Sequence, residues 1–113
     1  MTMQATQPTY RFQDIDVRSA STRLETFQII DVRQPGELVD GRIAGALNVP
    51  LSDVLRDGLP STIDCDAPVL VVCRSGGRSA SAAHALANNG YARVFNLAGG
   101  MMAWGASGLP VTR

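Results

Sequence analysis

Val69-Leu70-Val71-Val72 is the most apolar run in the chain, and it is bounded by Pro68 on one side and by Cys73 and Gly76-Gly77 on the other. A short run with no polar alternate and turn residues at both ends suits a strand buried on both faces. Such a strand sits centrally, and helical crossovers are what cover a parallel sheet on both sides. The chain must therefore supply further strands with helices between them, and its 113 residues allow one compact domain to do so.

The rest of the sequence alternates short β-branched runs with helical stretches, with no internal repeat, which predicts an α/β domain with a mostly parallel sheet. Tyr10 to Phe12 is expected as an edge strand, Asp16 to Leu24 as a helix, and Phe27 to Val32 as a buried strand. Pro35 suits the first turn of a short helix that Gly41 ends. Leu47 to Val49 is a further short strand. Ser52 is expected to cap a helix through Val54 and Leu55 that Gly58 and Pro60 stop. Arg78 to Asn89 reads as an alanine-rich helix closed by Gly90. Val94 to Leu97 makes the fifth strand, and Gly99-Gly100 turns into a helix through Trp104. Residues 1–9 are expected to be a loose tail and 10–113 the domain.

Composition removes several kinds of function. Hydrophobic residues make up 45% of the chain, yet no apolar run is long enough to span a bilayer. Met1 to Thr9 lacks the basic start and apolar stretch of a secretory signal, so a cytoplasmic protein is expected. Ten Arg balance ten Asp and Glu without clustering, which argues against a nucleic-acid footprint. All ten basic residues are Arg; without Lys, neither Schiff-base chemistry nor a Gly-Lys phosphate loop is available. Two Cys and one His are too few for a disulfide scaffold and a poor set for zinc, so no metal is expected.

One segment carries chemistry. Cys73-Arg74-Ser75-Gly76-Gly77-Arg78-Ser79 joins the buried strand to a helix, at the end of the sheet where open α/β folds place their sites. Successive amides there can curl around the sulfur, the helix dipole adds positive potential, and Arg74 and Arg78 add charge. All of these favour a thiolate. A buried cysteine before a tight turn is the commoner fate of such a residue, but the paired Arg and Gly residues favour a nucleophile. His84 lies roughly 150° around the helix from the face of Ser79, Ala82, Ala83, Leu86 and Gly90, at about 100° per residue. That face packs on the sheet, so His84 points to solvent and a Cys-His dyad is disfavoured. Cys65 has no glycines or nearby Arg and reads as an indifferent thiol, unless the fold brings it close as a resolving cysteine.

Three segments together resemble the rhodanese family. The first is Ile30-Asp31-Val32-Arg33 with Glu37, Gly41-Arg42-Ile43-Ala44-Gly45-Ala46 and Asn48-Val49-Pro50; the second is the Cys73 to Ser79 loop. The third is Leu97-Ala98-Gly99-Gly100-Met101 with Trp104 and Gly108-Leu109-Pro110. Arg42 stands where the family usually has His, away from the nucleophile. The resemblance implies a small, mostly parallel five-stranded sheet flanked by helices on both faces. It implies a thiosulfate sulfurtransferase in which Cys73 takes a sulfane sulfur from a donor such as thiosulfate, holds it as a persulfide and passes it to cyanide or a thiol. Arg74, Ser75, Gly76, Gly77, Arg78 and Ser79 would bind the substrate, with no cofactor. A thioredoxin-like or other sulfur-accepting protein is an alternative acceptor. Asp31 and Arg33 are expected to form a buried ion pair, Trp104 and the two neighbouring Met to be core, and Gly99-Gly100 to make a tight turn.

Two other readings compete. Cysteine phosphatases and arsenate reductases of related fold carry a Cys-to-Arg loop one residue longer, whereas four residues separate Cys73 from Arg78 here. There is also no evident Asp placed as a general acid. The second alternative is a module that carries or senses sulfur for a protein partner. Loop length sets the phosphatase reading aside, while the carrier reading shares the same Cys73 chemistry.

Overall fold

The computed structural model of the chain describes residues 11–113. The expected tail over residues 1–9 lies outside the described residues, as does Tyr10. In chain order the elements are β1 (Gln13–Ile15), α1 (Val17–Ser21), β2 (Gln28–Asp31), β3 (Leu47–Asn48) and α2 (Leu51–Asp57). Then follow β4 (Val69–Val72), α3 (Gly77–Asn88), β5 (Val94–Leu97) and α4 (Gly100–Ala106). Short 3-10 helices occupy Leu24–Thr26 and Pro35–Asp40.

The five strands form one sheet in the order β1-β5-β4-β2-β3, and every neighbouring pair is parallel. Val69, Leu70 and Val71 are 0% exposed and Val72 is 1% exposed, so β4 is covered on both faces as its composition requires. Burial of each such side chain is worth about 1.5–3 kcal/mol, so this strand anchors the sheet. Val69 and Val71 share a cluster with Val54 of α2 and Ala82, Ala83 and Leu86 of α3. On the opposite face, Leu70 and Val72 join Ala20 of α1 and Trp104 of α4. The chain leaves β2 toward β3 on one side and returns to β4 on the other. The carboxyl ends of β2 and β4 thus flank the point where the strand order reverses, the usual place for a site.

Several elements differ from expectation. The edge strand is Gln13–Ile15, and Arg11 and Phe12 of the expected Tyr10 to Phe12 strand lie outside it, because the register is set by backbone pairing with Phe95 to Leu97. Gln13 and Asp14 are exposed, so no apolar pattern marks them. The helix expected over Asp16 to Leu24 stops at Ser21; Asp16 caps it by accepting the Ser19 amide at 2.8 Å. Ser52 does not cap α2. Leu51 is the first helical residue, its amide is taken by Val32 O at 3.0 Å, and Pro50 O accepts from the Asp53 and Val54 amides. Gly90 is exposed and does not pack on the sheet; Ala87 completes the buried face of α3. Trp104 is 0% exposed, but Met102 is 56% exposed and is not core. Among the described residues no helix is long and apolar enough to cross a membrane.

Candidate active site

β4 delivers Cys73 to the carboxyl edge of the sheet, and the chain then turns through Arg74 to Gly76 before α3 starts at Gly77. Gly76 has φ +104°, a left-handed conformation that turns the chain from the loop into α3. The Gly76 N–H donates to Cys73 Sγ at 3.1 Å, and the Ser79 hydroxyl lies 3.3 Å from the same atom. Burial pushes the Cys73 thiol up. The Ser79 hydroxyl and the amides of Ser79, Gly76 and Ser75 outweigh that effect, and the thiol sits below its ordinary range. The sulfur also faces the amino end of the 12-residue α3, whose dipole favours negative charge.

The two arginines of the loop have different surroundings. Arg78 holds Glu37 by two hydrogen bonds of 2.7 and 2.8 Å. The Arg78 contact, helped by the Gln34 amide, lowers the Glu37 carboxyl to about 2. Arg74 is exposed and has no ion-pair partner among the described residues. It lines a groove of about 460 Å³ with Arg33, Met101, Met102 and Arg113. Cys73 itself does not line that groove.

Asp31 and Arg33 form the expected buried pair, with Arg33 Nη2 2.8 Å from Asp31 Oδ2. Arg33 also donates to Glu37 O and Gly41 O, so the pair ties the end of β2 to the 3-10 helix beside the site. The Gly99-Gly100 turn brings α4 onto the loop, and the Met101 and Met102 amides donate to Cys73 O and Arg74 O, both at 2.9 Å. A Cβ on Gly100 would stand 2.5 Å from each of those carbonyl oxygens, so close backbone approach explains this glycine.

His84 is exposed and its ring contacts Asn88 at 3.1 Å, so it takes no part in the cysteine cradle. Cys65 precedes β4 and Cys73 follows it. A four-residue strand spans roughly 13 Å, which places the two thiols beyond opposite ends of the central strand and ends the resolving-cysteine reading. Sequence reasoning missed two participants. Glu37 belonged to a recognised segment, but its reach to Arg78 was not legible across 41 positions. Asn96 is 4% exposed and meets both Ser79 and Gly76. The signal was there: one amide in an otherwise apolar strand, Val94–Leu97.

A parallel α/β sheet that holds a cysteine loop at its switch point defines a class of α/β cysteine-loop domains. Residues 15–107 match the rhodanese-like domain family. A sulfurtransferase of Allochromatium vinosum is 42% identical over 101 residues, covering 87% of this chain and 92% of its own. The thiosulfate sulfurtransferase GlpE of Pseudomonas entomophila is 34% identical over 90 residues, covering 77% and 78% respectively. Among solved structures, a rhodanese-related protein from Thermoplasma volcanium superposes with TM-score 0.81 at 30% identity, over 89% of this chain and 98% of that one. The chain belongs to the rhodanese-like domain family.

Proposed function

We propose that this protein is a sulfurtransferase that carries sulfur as a persulfide on Cys73, with thiosulfate as a donor and cyanide or a thiol as acceptor. The observation that carries the reading is the convergence of the Gly76 amide and the Ser79 hydroxyl on a buried sulfur. In the first step Cys73 thiolate attacks the sulfane sulfur of thiosulfate; the S–S bond breaks and its electron pair leaves on sulfite. In the second step the acceptor attacks the outer sulfur of the persulfide, and the electron pair returns to Cys73 Sγ. Neither step needs a proton from a general acid, which agrees with His84 standing apart. The names of the relatives support the transfer of sulfur, and exposed Arg74 supplies a cation for an anionic donor.

Loop size favours sulfur over phosphoryl transfer. Only Arg74, Ser75, Gly76 and Gly77 lie between Cys73 and Arg78, and Arg78 is already paired with Glu37. A tetrahedral phosphoryl group would need a wider ring of donors. The groove beside Arg74 has room for an acceptor larger than cyanide, including a thiol presented by a protein. A cytoplasmic protein remains our expectation.

The test pairs two assays on one preparation. Mass spectrometry after incubation with thiosulfate is expected to show one added sulfur on Cys73, and Cys73→Ser is expected to abolish thiocyanate formation while circular dichroism is unchanged. Wild-type turnover in Cys73→Ser, or p-nitrophenyl phosphate hydrolysis as fast as sulfur transfer, overturns the reading.

A further inference from the structure

Ser79 is 0% exposed and its hydroxyl contacts two acceptors, Cys73 Sγ and Asn96 Oδ1. A hydroxyl has one hydrogen, so it cannot donate to both. The orientation of Asn96 is not free to adjust. Its Nδ2 donates to Asp14 Oδ1 at 3.0 Å and to Gly76 O at 3.3 Å, and neither a carboxylate nor a carbonyl has a hydrogen to return. Turning the amide over would set oxygen against oxygen at both contacts. Oδ1 is therefore held toward Ser79, and a buried Oδ1 without a donor is costly.

We propose that Asn96 is a positioning residue that sets where the Ser79 hydrogen points: onto Asn96 while Cys73 Sγ is neutral, and onto Sγ when Sγ carries charge. In the thiol, Cys73 S–H donates to Ser79 Oγ and Ser79 donates to Asn96. In the persulfide, Sγ is a weak acceptor without charge, and the hydrogen stays on Asn96. As the acceptor attacks the outer sulfur, the S–S electron pair collects on Sγ and the hydrogen swings to it. The Ser79 bond to sulfur is thus realised mainly as charge develops, which is where a hydrogen bond accelerates a step. Asn96 also holds the Gly76 carbonyl, so one side chain governs both groups that meet the sulfur.

The charged groups around this cluster are Asp14 on β1, Asp31 at the end of β2 and Arg33 just after it, Glu37 on the 3-10 helix, and Arg74 and Arg78 on the loop and α3. The ordinary pKa values of carboxyls and guanidiniums as classes lie well away from the thiol range. His84 lies on the outward side of α3. A titration near Asn96 in that range therefore reports Cys73.

The role in transfer rests on the reading of Cys73 as the sulfur carrier, but the test needs no sulfur donor. Cys65→Ser protein, whose remaining thiol is Cys73, carries ¹³C in its asparagine side-chain carbonyls and is titrated by NMR, with Asn48, Asn88 and Asn89 as internal references. The Asn96 resonance is expected to move with the same midpoint as the Cys73 thiolate absorbance, and that movement is expected to vanish in Ser79→Ala. In addition, Asn96→Leu removes the competing acceptor and is expected to lower the Cys73 midpoint by about half a pH unit, the scale of one hydrogen bond. No such fall is expected when Ser79→Ala is already present. An Asn96 resonance that ignores Cys73, or follows it equally in Ser79→Ala, overturns the proposal whether or not Asn96→Leu folds. So does a midpoint that rises or stays put in Asn96→Leu. Failure of Cys73 to take sulfur from thiosulfate would instead overturn the functional reading and leave these titrations standing.

Discussion

Cys73 is 1% exposed whereas Cys65 is exposed, so the sulfur proposed as the carrier is the hidden one. Alkylation rates of the two thiols therefore mix access with ionisation. Thiolate absorbance in a Cys65→Ser background separates them. Its midpoint is expected below the ordinary cysteine value of roughly 8.5, because the Ser79 hydroxyl and the loop amides overcome the burial of the sulfur. Ser79→Ala is expected to raise the midpoint, and a midpoint unchanged by that substitution would remove Ser79 from the cradle. The sign for stability follows. A thiol depressed in the folded state contributes stability that is complete above its unfolded pKa and is lost as pH falls through its folded one. Urea midpoints of wild type and Cys73→Ser are expected to converge on acidification through that window.

At the scale of elements, α4 acts as a strut beneath the loop. Its first amides hold Cys73 O and Arg74 O, and this approach is open only because Gly100 has no Cβ and takes φ +57°. Gly100→Ala adds left-handed strain and a backbone overlap, together worth about 2–5 kcal/mol. Loss of stability is expected in denaturant melts, with reduced sulfur transfer at temperatures where the variant is still folded. Gly105, in the same helix, has nothing within 4 Å of a Cβ, and Gly105→Ala is expected to stabilise by about 0.5–1 kcal/mol. If both substitutions behave alike, the strut explanation fails.

Across the whole molecule, Glu37 and Arg78 join the segment after β2 to the start of α3. Arg78 chiefly holds the Glu37 carboxyl down to about 2 from 4.5. A depressed carboxylate contributes stability that is complete above its unfolded pKa and is lost as pH falls through its folded value. Wild type is therefore expected to exceed Glu37→Gln in urea midpoint at neutral pH, with the gap closing between pH 4.5 and about 2. Both side chains are roughly one-third exposed, so water and salt screen the pair and the gap is expected to narrow in high salt. A gap constant from neutral pH to pH 2 would show that the pair does not bridge these segments in solution.

What local residues alone decided is the part of the fold that repeats or turns: Val69 to Val72 as a central strand, Val94 to Leu97 as another, and the parallel α/β class. The same holds for the cysteine loop, because its glycines, arginines and helix start are neighbours in the chain. The edge strand was illegible, since Gln13 and Asp14 face solvent and only pairing with β5 sets their register. The Ser52 cap failed for a similar reason: Val32 O, distant in sequence, had already taken the Leu51 amide. Periodicity likewise could not show that Met102 would be exposed on a seven-residue helix. The partners of the site, Glu37 on Arg78 and Asn96 on Ser79, became visible only in three dimensions. Hydrophobic patterning is a local property of the chain, whereas buried hydrogen bonds are satisfied by whichever distant group the packed sheet brings within reach.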